Sequence, residues 1–161
     1  MKNGMTLFGC GPKLALICLP YILLSIVIMF KYPEFLSFST LHILPVTIFG
    51  VLWGLIGLVF WIYSAIYFIK NFKPGVLLTS GPFSLCRNPI YSAIIVFILP
   101  ATGLILHSGL ILTIPVVLYI GFKLTIHGET IILRRIFGDD YNKYEKSVNE
   151  IFPMPSFLSN K

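Results

Sequence analysis

The chain has 161 residues, of which 57% are apolar and only 11% charged, with a formal net charge of +6. A water-soluble globule of this size needs more polar surface than that to cover itself, so the composition excludes a soluble enzyme and points to one membrane-embedded domain over 1–161. The three cysteines, Cys10, Cys18 and Cys86, are odd in number and lack metal-type spacing, so neither a zinc site nor a disulfide framework is expected.

A helix needs about 17 to 25 apolar residues to cross a hydrocarbon core. The first such run, 14–30, is closed by "KYPE". No small-residue cleavage site follows it, so it reads as a retained span and not a signal peptide. The second run, 41–69, is too long for one untilted span and too short for two, which predicts a tilted or overhanging helix. Within it Gly50 and Gly54 form a GxxxG step, suited to packing inside the chain or, secondarily, to a homo-oligomer. The stretch 89–126 is interrupted at "LHSG", where Ser108 and Gly109 can turn the chain. This predicts a tight hairpin of two spans, 89–106 and 109–127. The fold class is therefore all-α integral membrane, with about four spans and cytoplasmic helices over 129–152.

With the N-terminus inside, eleven of the twelve basic residues lie on or near the cytoplasmic face, Lys2 and Lys161 among them, and only Lys31 lies outside. That is the positive-inside pattern of a multi-pass protein with both termini cytoplasmic. Anionic lipid headgroups account for the net charge, so no nucleic-acid partner is implied.

Two polar segments fall on that face. The first holds "GPFSLCRNPIYSA" at 81–93. Pro89 suits the first turn of the third span and Asn88 its N-cap. Neither role explains Arg87 or Tyr91. A helix N-terminus beside an arginine can receive a carboxylate or phosphate, although an arginine reaching out to lipid headgroups is a competing use. Cys86 reads as a packing residue. The second segment begins at Glu129, where apolar helix gives way to basic residues. Its carboxylate is open to an ion pair with Arg134 or Lys123, or to a cationic ligand. Gly138 reads as a left-handed stop and Asp139 as the N-cap of a further helix. There Tyr141, Tyr144, Val148 and Ile151 recur at three- and four-residue steps, predicting an amphipathic interfacial helix in which packing is the favoured role of both tyrosines.

Taken together, "GPFSLCRNPIYSA" and "ETIILRRIFGDDYNKYEKSV" resemble the integral-membrane methyltransferases that include isoprenylcysteine carboxyl methyltransferase and the phospholipid N-methyltransferases. The likeness runs over about 52–153. It implies S-adenosylmethionine as methyl donor, held on the cytoplasmic side, and a lipophilic acceptor arriving from the bilayer: an isoprenylcysteine carboxylate, a phospholipid amine or a similar small molecule. Carried onto this chain, the resemblance places Arg87, Asn88, Pro89 and Tyr91 in the first motif, Glu129 in the acidic motif and Phe137, Gly138, Tyr141 and Tyr144 in the last. It depends on no metal. Asn88 stands where many members have histidine, and Thr130 where a second glutamate is usual.

The chemistry of these side chains suits the same ligand. Arg87 and helix N–H groups can hold a carboxylate, Glu129 an ammonium, and Tyr91 the region of a sulfonium. Arg87, Tyr91 and Glu129 are therefore the candidate catalytic residues. Asn88, Pro89, Tyr141 and Tyr144 join them in the candidate cofactor site. Two other classes compete: a small four-helix transporter with Glu129 as coupling site, and a non-catalytic scaffold with a degraded methyltransferase fold.

Overall fold

The computed structural model of the chain describes residues 9–38 and 43–154. Leu41, the expected start of the second span, and both chain ends, with Lys2 and Lys161, lie outside the described residues. Among the described residues the helices are α1 (Gly11–Lys31), α2 (Ile43–Asn71), α3 (Pro89–Ile105), α4 (Gly109–Phe137) and α5 (Asp139–Ser147). Among the described residues there is no strand, and the all-α membrane fold expected from composition is what forms. Helices α1, α2 and α4 are each long and apolar enough to cross a membrane, and α3 is a shorter apolar helix.

The helices pack in the order α2, α3, α4, α1, each antiparallel to its neighbour. Helix α2 shows why. Of its 29 residues only Gly50, Gly57 and Ser64 are buried, seven apart along one seam, while Leu52, Ile56, Val59 and Ile66 stay exposed. Such a helix suits lipid on most of its surface and backbone-close packing on one stripe. The GxxxG step is used inside the chain: a Cβ on Gly54 would lie 3.2 Å from the Ala101 Cβ, and one on Gly50 would lie 3.3 Å from the Ala101 carbonyl oxygen.

Gly57 is the tightest point, since an added Cβ would fall 2.4 Å from the Phe97 Cβ. Gly57→Ala should therefore force α2 and α3 apart and destabilise the fold by about 1 to 3 kcal/mol, the usual cost of overpacking. Thermal unfolding in detergent measures this, and an unchanged midpoint would contradict the packing described.

Helix α3 contains a π-helical segment over Ala93–Ile98. Pro100 has no N–H to offer the Val96 carbonyl four residues back. The Trp53 indole N–H takes its place, donating to Val96 O at 3.0 Å. The ring of Trp53 also stacks on Phe97, with centroids 4.9 Å apart.

The hairpin turn forms where expected. His107 takes a positive φ of 49°, and the Ser108 side chain caps α4 by accepting from Ile111 N. Residues Leu36 to Phe38 dock on this turn, with Gly109 N donating to Leu36 O at 2.8 Å and Phe38 N to His107 O at 3.2 Å.

Helix α4 differs from expectation. It does not end near 127 but continues unbroken to Phe137, so 129–137 is an overhang of the same helix and not the first of the separate helices expected over 129–152. Polarity marks a membrane boundary but does not stop helix propagation. Gly138 does, with φ 53° and ψ −124°, which is a glycine-accessible conformation other than the left-handed cap expected. Asp139 is the first residue of α5 and not a side-chain N-cap. Helix α5 is also shorter than its pattern suggests: Val148 is already extended, and Ile151 packs in a different cluster from Tyr141, Tyr144 and Val148.

Candidate active site

The antiparallel packing gathers the start of α1, the end of α2, the start of α3 and the overhang of α4 at one end of the bundle, with most of the basic side chains. The 72–88 connection lies there. Gly81 is needed in it, because it adopts φ 62° and an added Cβ would fall 2.6 Å from the Tyr67 ring. A 3₁₀ turn, Gly81–Ser84, then leads to Cys86, which is wholly buried. Burial pushes the Cys86 thiol up to about 11, consistent with the packing role expected of it.

Arg87 comes next and is clasped by the C-terminal segment. Its N–H donates to Asn149 O at 2.8 Å, and both the backbone N–H and the side-chain amide of Asn88 donate to Glu150 O, at 3.1 and 3.2 Å. The Asn88 side chain therefore does not cap α3, as expected from sequence; a chain 62 residues away claims it. Pro89 is buried in the first turn of α3, as the spacing predicts.

The Arg87 guanidinium donates to Glu145 Oε1 at 2.7 Å and to the Tyr141 hydroxyl at 3.4 Å, and lies 3.8 Å from Glu150 Oε1. Arg134 holds the other Glu145 oxygen at 2.7 Å, and Lys123 pairs with Glu150. Burial works against the charge of Arg87, but Glu145 and Tyr141 outweigh it and raise its pKa. Its Nε is buried without a hydrogen-bond partner, a donor left over on a side chain that is otherwise engaged. An open cavity of ≈ 310 Å³ lies alongside, lined by Arg87, Tyr119, Lys123, Glu145, Glu150 and Phe152 among others.

Glu145 is pulled two ways. Burial raises its carboxyl, yet hydrogen bonds from Arg134 and Arg87 outweigh burial and hold it below its ordinary 4.5. A depressed folded-state value means that its contribution to stability is complete above the unfolded value and is lost as pH falls through the folded one. Thermal stability should thus hold down to about pH 5 and fall below the ordinary carboxylate range, and Glu145→Gln should flatten that acid limb. An identical acid limb in the variant would show that Glu145 is not the titrating group.

Glu129 and Tyr91 sit apart from Arg87's ion pairs. Glu129 projects from the α4 overhang to the start of α1, where Cys10 N–H donates to its Oε2 at 3.0 Å. Of the two uses left open by sequence, the ion pair with Lys123 or Arg134 does not form, because those cations go to Glu150 and Glu145; among the described residues no Lys or Arg pairs with Glu129. Tyr91 packs against Phe122 with ring centroids 5.3 Å apart and planes tilted by 50°, and its hydroxyl reaches the same α1 turn, 3.1 Å from where a Gly11 Cβ would stand. Tyr91 therefore links the two halves: its backbone follows Arg87 by four residues, and its side chain ends beside the turn that holds Glu129.

Tyr141 and Tyr144 divide as well. Tyr141 touches Arg87, whereas the Tyr144 hydroxyl donates to Phe83 O at 2.7 Å and secures the connection preceding α3. Burial raises Tyr144, so it stays a donor. Sequence reasoning missed Glu145, Glu150 and the Cys10 amide. A signal for the first two existed: the chain has only six acidic residues, and an arginine drawn partly out of solvent needs one of them. The Cys10 amide left no trace in any spacing.

No curated protein and no solved structure matches the chain. A family model described as "Phospholipid methyltransferase" matches residues 38–140, which cover α2, the whole hairpin and the α4 overhang with Glu129. With that match spanning more than half of its length, the chain belongs to the phospholipid methyltransferase family.

Proposed function

We propose that the protein transfers a methyl group from S-adenosylmethionine to a lipophilic acceptor resident in the membrane. The observation that carries this reading is a pair of polar groups of opposite sign with capacity to spare, the Arg87 guanidinium, whose Nε has no hydrogen-bond partner, and the Glu129 carboxylate, which pairs with no Lys or Arg among the described residues, with Tyr91 between them, in a chain of this family. A zwitterion with a carboxylate and an ammonium on one carbon offers each of them a partner of the right sign, so the residue types fit the cofactor.

When bound, S-adenosylmethionine supplies a sulfonium-activated methyl group. Arg87 is assigned the carboxylate, with the Glu145 and Glu150 carboxylates fixing its guanidinium plane. Glu129 is assigned the ammonium, and Tyr91 the neighbourhood of the sulfonium. Asn88 and Pro89 hold the backbone at the α3 start, and Tyr141 bears on Arg87. Tyr144, placed in the cofactor site by resemblance, acts at one remove by securing the loop. The transfer is an in-line displacement, so orientation and exclusion of water carry most of the catalysis and no nucleophilic side chain is required. A carboxylate acceptor needs no base, whereas an amine acceptor must first lose a proton.

The bilayer supplies the acceptor: an isoprenylcysteine carboxylate, a phospholipid amine or a related small molecule. The eleven-to-one distribution of basic residues supports a four-span topology with both termini cytoplasmic and the basic end inside. A transporter reading requires a coupling carboxylate in mid-membrane, and Glu129 instead lies level with the first residues of α1. The test is calorimetric titration of the detergent-purified protein with S-adenosylmethionine and its demethylated product, followed by transfer of a labelled methyl group to a lipid extract. Binding and a labelled lipid establish the reading; absence of both leaves the degraded scaffold as the better account.

A further inference from the structure

The residues that meet Glu129 and the Tyr91 hydroxyl at the start of α1 lie outside the segment that matches the family, which begins at 38. They form a turn of three, Gly9–Cys10–Gly11. Gly9 has φ 48°, and the three atoms nearest to an added Cβ would all belong to Glu129: Oε2 at 2.7 Å, Oε1 at 3.1 Å and Cδ at 3.2 Å. For Gly11 the nearest atom among the described residues would be the Tyr91 hydroxyl oxygen, at 3.1 Å. Between them Cys10 is buried, packs in the cluster that Tyr91 borders, and gives its N–H to Glu129 Oε2 at 3.0 Å. The missing side chains on either side of Cys10 thus make room for two candidate site residues, Glu129 and Tyr91.

We infer that Gly9–Cys10–Gly11 is a positioning element of the methyl-transfer site. A glutamate on an exposed helical overhang has several rotamers open to it, and a freely turning carboxylate is a poor receptor for an ammonium. The Cys10 amide, at the partly positive N-terminus of α1, selects one of them without supplying a full positive charge that would compete with the ligand's ammonium. Gly9 lets the carboxylate lie flat over the backbone, and Gly11 leaves the Tyr91 hydroxyl at its level. The first helix of the chain is on this account part of the catalytic apparatus, beyond its role as a membrane anchor.

This inference rests on the cofactor reading above, and the experiment separates the two. S-adenosylmethionine affinity and thermal midpoint are measured for wild type, Gly9→Ala, Gly11→Ala, Tyr91→Phe and the double variant Gly11→Ala/Tyr91→Phe. Gly9→Ala is expected to weaken binding about tenfold, the loss of one charge-assisted contact. Should its positive φ prevent folding, Gly11→Ala decides, since alanine is readily accommodated at the first residue of a helix. Gly11→Ala should bind the cofactor severalfold more weakly with its midpoint unchanged or raised, and should have no further effect once Tyr91→Phe has removed the hydroxyl. A purely structural turn would not give that rescue. Wild-type binding with unaltered affinity in both glycine variants would overturn the inference alone. Absence of binding by wild type would overturn the cofactor reading and the inference with it.

Discussion

Replacing Arg87 by alanine is expected to lower both stability and cofactor affinity, the largest effect of any single substitution in the molecule. The Arg87 side chain is 13% exposed and bridges Glu145, Glu150 and Tyr141, so it ties the start of α3 to α5 and to the segment after it. Removing one partner of a buried pair costs about 3 to 5 kcal/mol because the other charge is left behind. Here the network is only partly buried, Glu145 keeps Arg134 and Glu150 keeps Lys123, which places the loss below that range, at about 2 to 3 kcal/mol. S-adenosylmethionine affinity should fall by roughly ten- to a hundredfold as well. Arg87→Lys keeps the charge but not the planar fork, and its donors radiate from a single nitrogen where Arg87 turns Nη1 to Glu145 and Tyr141 and Nη2 toward Glu150, so only part of either property should return. Denaturant unfolding and calorimetry on the same preparations measure both quantities. Lys146→Ala, an exposed cation on α5, is the matched control and should change little. Equal effects from both would mean that overall positive charge matters and the network does not.

Glu129→Gln separates the two quantities. Glutamine can still accept from Cys10 N–H, so the turn at the start of α1 should persist, with a stability change within about 1 kcal/mol from the lost interaction with the helix end. What disappears is the negative charge proposed to meet the ammonium. The cost there should be about 1.5 to 3 kcal/mol, or roughly ten- to a hundredfold in affinity. Unchanged affinity in a folded Glu129→Gln protein would remove Glu129 from the site and leave it a structural ligand of the α1 amide.

The apolar elements were legible because lipid imposes a simple requirement on sequence. The runs 14–30 and 41–69 predicted helices that the structure places at Gly11–Lys31 and Ile43–Asn71, and "LHSG" marked the hairpin turn to the residue. Local punctuation was readable at Pro89 for the same reason, since its fixed φ suits only a few positions. The errors arose where a distant part of the chain outcompeted a local preference. Asn88 was assigned the cap of α3, but the Glu150 carbonyl takes its amide. Glu129 lies near Lys123 and Arg134 in sequence, yet it accepts from an amide 119 residues away. Residue spacing encodes which side chains share a helix face; it says nothing of which faces then meet at the end of a bundle. Arg87, Tyr91 and Glu129 were therefore identifiable as unusual, while their division between Glu145 with Glu150 on one side and Cys10 on the other was not.

The π-helical segment over Ala93–Ile98 gives α3 a change of phase. A π turn accommodates one residue more than an α turn, and each residue of an α-helix advances the facing direction by about 100°. The stretch before the segment is thus rotated by about a quarter turn relative to the stretch after it, compared with an uninterrupted helix. Ahead of it Tyr91 looks toward Phe122 and the start of α1; within and beyond it Phe97 and Ala101 look toward Gly57 and Gly54 of α2. One helix thereby serves two partners that a regular α-helix of the same sequence would bring out of alignment. The irregular turn lets each half of α3 present its own face, Tyr91 to Phe122 and the α1 turn, and Phe97 with Ala101 to the glycine seam of α2.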